Sequence, residues 1–150
     1  MKLIKVNKTN RFLINDIKKN MQVVMSKKMT KKFFNSSITY LNESAPIHKT
    51  DLWAKRLGFK GKIFPGLAVT SMFSKIIGMY LPGKNCVIMD INFTFKKPIF
   101  ENDLLVYKCK VKKVIKRFNI VILDLFINRG KEVLIQGSSR CKILTYASKK

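Results

Sequence analysis

A carboxylate and an imidazole flank a proline in Glu43-Ser44-Ala45-Pro46-Ile47-His48, and His48 is the only histidine of the chain. Moving a proton off water and onto carbon needs a base and an acid of this kind, held close together. Across a proline turn the two side chains can converge. Taken alone, the same pair reads equally as a solvated helix-end acid and a capping imidazole. The second candidate is Gly61-Lys62-Ile63-Phe64-Pro65-Gly66, which runs into the most apolar stretch of the sequence. The unpaired N–H groups at a helix start carry partial positive charge. Gly66 has no side chain to keep a ligand oxygen away from the backbone. That combination suits an oxyanion that develops during a reaction, although a glycine ahead of a helix is also an ordinary loop.

The elements that must position these groups follow from spacing. Residues 1–15 read as a loosely held basic arm, and Met21–Ser26 as a short strand. Thr30 caps a helix to about Leu41 that should bury Phe33, Phe34, Ile38 and Leu41. Asn42–Pro46 is a turn, because a residue preceding proline avoids the helical region. Thr50 caps a second helix, with Asp51 in its first turn and Gly58 at its end. From Leu67 to Tyr80 the sequence is apolar almost all round, as a buried helix requires, and Leu81-Pro82-Gly83 stops it. The period then changes to two. Val87, Met89, Ile91, Phe93 and Phe95 form one face of a strand, and Leu105, Tyr107, Cys109, Val111 and Lys113 one face of the next, Leu104–Ile115. Phe118–Asn128 and Val133–Thr145 join through an Arg129-Gly130 hairpin, with Gly137 as a bulge. Helices followed by long antiparallel strands define an α+β chain, a sheet wrapped around a long buried central helix. Without repeats or a linker, residues 1–150 read as a single domain.

Of the 150 residues, 47% are hydrophobic and 11% aromatic, enough for a sizeable core. The 31 basic residues against 8 acidic ones give a net charge of +23, and five of the 31 are arginine. Such a surface suits polyanion binding, or it reflects lysine drift or attraction of small anions. Arginine forks and aromatic platforms, on which nucleic-acid readers lean, are scarce, so nucleic acid is not the favoured partner. Cys86, Cys109 and Cys141 lie 23 and 32 residues apart, with neither a CxxC pair nor a disulfide framework. One histidine leaves no zinc spacing, so no metal and no cofactor is expected. A reducing compartment fits the thiols. No stretch reaches the roughly 18 apolar residues of a membrane span. The N-terminal residues lack the apolar region of a secretory signal. The expected location is cytoplasmic, with the mitochondrial matrix as the alternative, because ten of the first 32 residues are basic.

In order and spacing, Met21 to Leu144 resembles the MaoC-like family of R-specific enoyl-CoA hydratases and 3-hydroxyacyl-thioester dehydratases, which have the hot-dog fold. That family reads D-x-N-P-[LI]-H, then I-V-H-G-[MLV], a small-residue helix and L-P-G. The corresponding residues are Glu43 to His48, Ile63 to Leu67, Ser71 to Ser74, and Leu81-Pro82-Gly83. Asp90–Phe95 with Lys97-Pro98-Ile99-Phe100 is similar to the family's S-F-x-x-P-[VL], and Val111–Phe118 to dehydratase members. The resemblance implies Glu43 and His48 as the acid/base pair, Gly66 as oxyanion donor and Ser74 as a supporting hydroxyl. It also implies an acyl-CoA or acyl carrier protein thioester as substrate, and a homodimer. Three positions depart from the pattern: Glu43 for aspartate, Ala45 for asparagine and Pro65 for histidine. An extra methylene moves a carboxylate by roughly 1 Å, enough to cost on the order of 100-fold. Two other functions therefore stand beside hydration: a catalytically weakened binding module whose basic surface contacts RNA or a larger assembly, and an acyl thioesterase.

Overall fold

A computed structural model describes residues 2–145. Five antiparallel strands form one sheet in the order β1-β3-β4-β5-β2. They are β1 (Gln22–Lys28), β2 (Cys86–Phe95), β3 (Leu104–Ile115), β4 (Ile120–Arg129) and β5 (Glu132–Ile143). Between β1 and β2 lie α1 (Lys31–Tyr40), α2 (Pro46–Lys49), α3 (Asp51–Arg56), α4 (Gly66–Thr70) and α5 (Met72–Lys75). The Thr30 and Thr50 hydroxyls cap α1 and α3 by accepting the Phe33 and Trp53 amides.

The long central helix is present only loosely. Residues 66–80 keep a helical path, divided into α4, α5 and a π-helical turn, Ile76–Tyr80. Two causes are visible. The Thr70 and Ser71 hydroxyls donate to the helix's own Leu67 and Ala68 carbonyls, competing with the regular ladder. At the far end, Leu81 N–H donates to the Ile76 carbonyl, five residues back. The path is nonetheless the centre of the core. Phe73 is fully buried, stacked on Phe93 of β2 and edge-on to Tyr107 of β3, both with centroids at 5.6 Å.

Register explains where strand patterning fails. Leu105, Tyr107, Cys109 and Val111 all face the core, but the register with β4 shifts between Val111 and Lys113, so Lys113 is exposed. In β2 the shift falls between Ile88 and Asp90. Ile88 and Phe93 therefore pack on the core, while Val87 and Met89 stay exposed. Gly137 is no bulge: it pairs regularly with Phe93 and Leu125. Its missing Cβ makes room for the Asn92 carbonyl and the Phe93 ring. Leu41, expected inside, is exposed at the C-cap of α1.

Residues 2–15 are not a loose arm. Leu3 bridges Gln22, Ile4 is buried, and Asn10 exchanges backbone bonds with Met79 and Lys84. Apolar Ile4, Phe12 and Ile14, spaced among the lysines, supply the anchoring contacts.

Truncating Phe73 to alanine should cost about 3–5 kcal/mol. The loss reads as a lower urea midpoint at unchanged slope.

Candidate active site

Pro46 opens α2 at a position where its missing N–H costs nothing, and His48 follows in the same four-residue turn. Two hydrogen bonds tie this turn to the glycine loop. Ile63 N–H donates to the Ile47 carbonyl at 3.4 Å. His48 Nδ1 lies 2.8 Å from the Ile63 carbonyl oxygen. A carbonyl only accepts, so Nδ1 carries the proton and Nε2 of the neutral ring is the free base. The loop is fixed from three further sides. Phe64 N–H donates to the Ile99 carbonyl at 2.8 Å. The Phe64 ring packs between Phe33 and Phe34. Asp51 accepts the Lys62 amide at 2.8 Å.

His48 and Gly66 line one cavity of about 430 Å³. Its walls are mostly apolar, with Phe59, Leu67, Phe95 and Ile135 among them, and Lys96 and Lys97 stand at its edge. Gly66 opens α4 with Pro65 as N-cap, so its amide belongs to the first turn, without an intrahelical partner. The Phe95 ring lies directly over this glycine: a Cβ there would come within 2.5 Å of it. Any larger residue would push the ring out of the cavity wall.

Of the four residues singled out by sequence, the structure brings these two together. Glu43 does not line the cavity. Its Oε1 accepts the Ala45 amide at 2.8 Å, closing the turn that delivers Pro46. Chiefly this bond, and then the nearby His48, hold its carboxyl below the ordinary glutamate range, against an opposing desolvation effect. Ser74 is exposed and lines a separate groove of about 340 Å³ with Ser71, Ile91 and Phe93. Leu67 and Phe95 form the wall between groove and cavity. Sequence reasoning missed Asp51 as a lock on the loop and Phe95 as the partner of Gly66. Strand alternation placed Phe95 on the inner face but could not show which loop it meets.

No protein-family model matches the chain. It is 28% identical over 98 residues to a 3-hydroxybutyryl-CoA dehydratase of Methylorubrum extorquens, covering 65% of this chain. The chain spans 62% of that relative's length. It is 26% identical over 99 residues to an (R)-specific enoyl-CoA hydratase of Aeromonas caviae, covering 65% of this chain and 74% of that protein. Among solved structures, an R-hydratase of Pseudomonas aeruginosa superposes with a TM-score of 0.81 at 14% identity, covering 96% and 97% of the two chains. The fold is therefore the hot-dog fold of the hydratases. The curated relatives and structural neighbours are R-specific enoyl-CoA hydratases and MaoC-like dehydratases, as the sequence resemblance implies.

A group whose pKa is lowered by folding adds stability above its unfolded pKa and loses it as pH falls through the folded value. The Glu43 turn should therefore hold through the range where free glutamate protonates, near pH 4.3, and loosen only below it. A carboxyl-carbon NMR titration of Glu43 should give a midpoint under that of a free glutamate; a midpoint at or above it would contradict the turn bond.

Proposed function

We propose that this chain interconverts trans-2-enoyl and (R)-3-hydroxyacyl thioesters of CoA or acyl carrier protein by reversible hydration. One observation carries the reading: an imidazole with Nε2 left basic shares an apolar cavity with a helix-opening glycine amide. In hydration, Nε2 takes a proton from water as the water oxygen bonds Cβ. The Cα=Cβ electron pair moves towards the thioester carbonyl, whose oxygen gains charge against the Gly66 amide. The proton taken by Nε2 then passes to Cα, so both parts of the water are accounted for. Glu43 and His48 form the acid/base pair, the carboxylate holding the water and balancing the imidazolium while it exists. Glu43 joins by turning its carboxylate from the Ala45 amide or through its second oxygen. Ser74 opens on the groove beyond the Leu67–Phe95 wall, so the transfers run without its hydroxyl. Lys96 and Lys97 set positive charge beside the cavity, opposite the phosphates of CoA or an acidic carrier.

The partner of the fold is a second copy of the chain. Among the described residues β2 is an edge strand bonded only to β5, and it exposes Val87, Met89 and Ile91. Pairing two β2 edges would cover an exposed strand that otherwise invites aggregation. Sedimentation equilibrium should return twice the chain mass, and a monomer at micromolar concentration would remove this part of the reading. Among the described residues, no helix is long and apolar enough to cross a membrane.

The test is hydration of crotonyl thioesters, followed as loss of enone absorbance. His48→Ala should lower kcat/KM by about 10²–10⁴-fold in a protein that still folds. Glu43→Gln should lower it too, and Ser74→Ala should leave it close to the parent. Failure of the parent protein to hydrate any enoyl-CoA or enoyl-carrier thioester would sink the proposal. Release of free thiol from acyl-CoA instead would reassign the cavity to thioester hydrolysis.

A further inference from the structure

Five lysines line a cleft of about 830 Å³: Lys18, Lys19, Lys112, Lys113 and Lys116. Three separate pieces of chain bring them together. Lys18 and Lys19 come from the segment that enters β1, Lys112 and Lys113 from the end of β3, and Lys116 from the turn into β4. The register shift between Val111 and Lys113 makes the cluster possible, because it leaves both Lys112 and Lys113 exposed where strict alternation would turn one inward. Carboxylates do little to neutralise it. Asp124 stands 3.5 Å from Lys112, and Asp16, beside Ile17, is engaged with the Leu13 amide. The remaining lining is Ile17, Val114 and Ile122 with the polar groups of Asn15 and Ser138. Like charges gathered on a concave surface repel unless an anion lies between them. A concave apolar surface ringed by ammonium groups matches a ligand with several phosphates on a partly apolar body.

The geometry points to a second ligand site here, for a small organic polyphosphate of the nucleotide type. None of the cavity residues of the proposed hydratase site lines the cleft, so the two readings stand or fall separately. The ammonium groups hold the phosphates as charge-assisted donors. The part-exposed Val114 and Ile122 carry the base or sugar, and Asn15 offers it hydrogen bonds, while the Ser138 hydroxyl is held by Asn92.

Titration of the full chain with ATP, followed by calorimetry and by amide chemical shifts, tests this. ATP should bind one site, shift the Ile122 and Ser138 amides, and weaken as sodium chloride is added. Lys19→Glu with Lys113→Glu should weaken ATP by about tenfold or more, the loss of one or two charge-assisted hydrogen bonds. Lys55→Glu with Lys131→Glu, the same charge change at exposed positions elsewhere, should leave binding near the parent value. Tripolyphosphate should compete with ATP. Weaker binding than ATP assigns the cleft to a nucleotide, and equal binding to the polyphosphate group alone. Shifts spread over the whole surface, equal loss in both double variants, or no ATP binding would overturn the proposal. So would a short oligothymidylate that binds more tightly than ATP at these residues, because the ligand would then be a polymer.

Discussion

The exchange of hydrogen bonds between Ile63 and the Ile47–His48 pair is the interaction on which the site depends. The turn bearing His48 is four residues long and buries none of its side chains. So short a helix has no stability of its own. Ile63 gives its amide to Ile47 and takes the imidazole proton on its carbonyl, so one residue fixes the position of the turn and the tautomer of the ring. Each bond is worth only about 1 kcal/mol net. Their leverage comes from Phe64 next along the chain, buried between Phe33 and Phe34 and bonded to Ile99. The same rigid loop ends at Gly66, so base and amide donor share one support.

The sheet sets the opposite wall of the cavity through register. β2 carries Phe95 at the level of Ile135, and both side chains reach the cavity beneath the glycine loop. Two glycines make this packing possible in the same way. Gly66 admits the Phe95 ring, and Gly137 admits Phe93, which lies two residues earlier in β2. Phe93 in turn stacks on Phe73, so the aromatic run of β2 links the core to the cavity wall. Alanine at position 66 would disturb packing around the site without altering a polar group, whereas at position 137 it would also collide with the Asn92 carbonyl.

Features carried by local chemistry were legible in the sequence. Thr30 and Thr50 cap as expected, Gly58 and Gly130 take positive φ, and helices preceding long strands mark the α+β class, while the hot-dog fold itself was implied by the family resemblance. What the sequence concealed depends on contacts distant in the chain. Met89 and Lys113 fit an alternating pattern, but each adjoins a register shift imposed by pairing with a neighbour. Lysine density in residues 2–15 masked three apolar anchors, and Asn10 is held by Met79, Tyr80 and Lys84. Ser74 sits at the matched spacing, yet the break around Ser71 and the Leu67–Phe95 wall set it in another groove. Spacing along a helix cannot reveal which side of a wall a hydroxyl will occupy.

Scarcity of acid explains the state of Glu43. With eight carboxylates against 31 basic residues, a carboxylate does most where one oxygen replaces a missing backbone acceptor or one charge joins two strands. Asp16 accepts the Leu13 amide, Asp51 the Lys62 amide and Asp103 the Phe100 amide. Asp90 joins Arg140 across β2 and β5, while Arg129 gathers Asp103 and Glu132 at the hairpin. Glu43 follows the same use, closing its own turn through Ala45. The bond to the amide two residues ahead is the one an aspartate makes in an Asx turn, here made by the longer glutamate side chain. The Glu43 carboxylate thus has a structural hold on the segment that presents His48, while the imidazole keeps its own lock to Ile63.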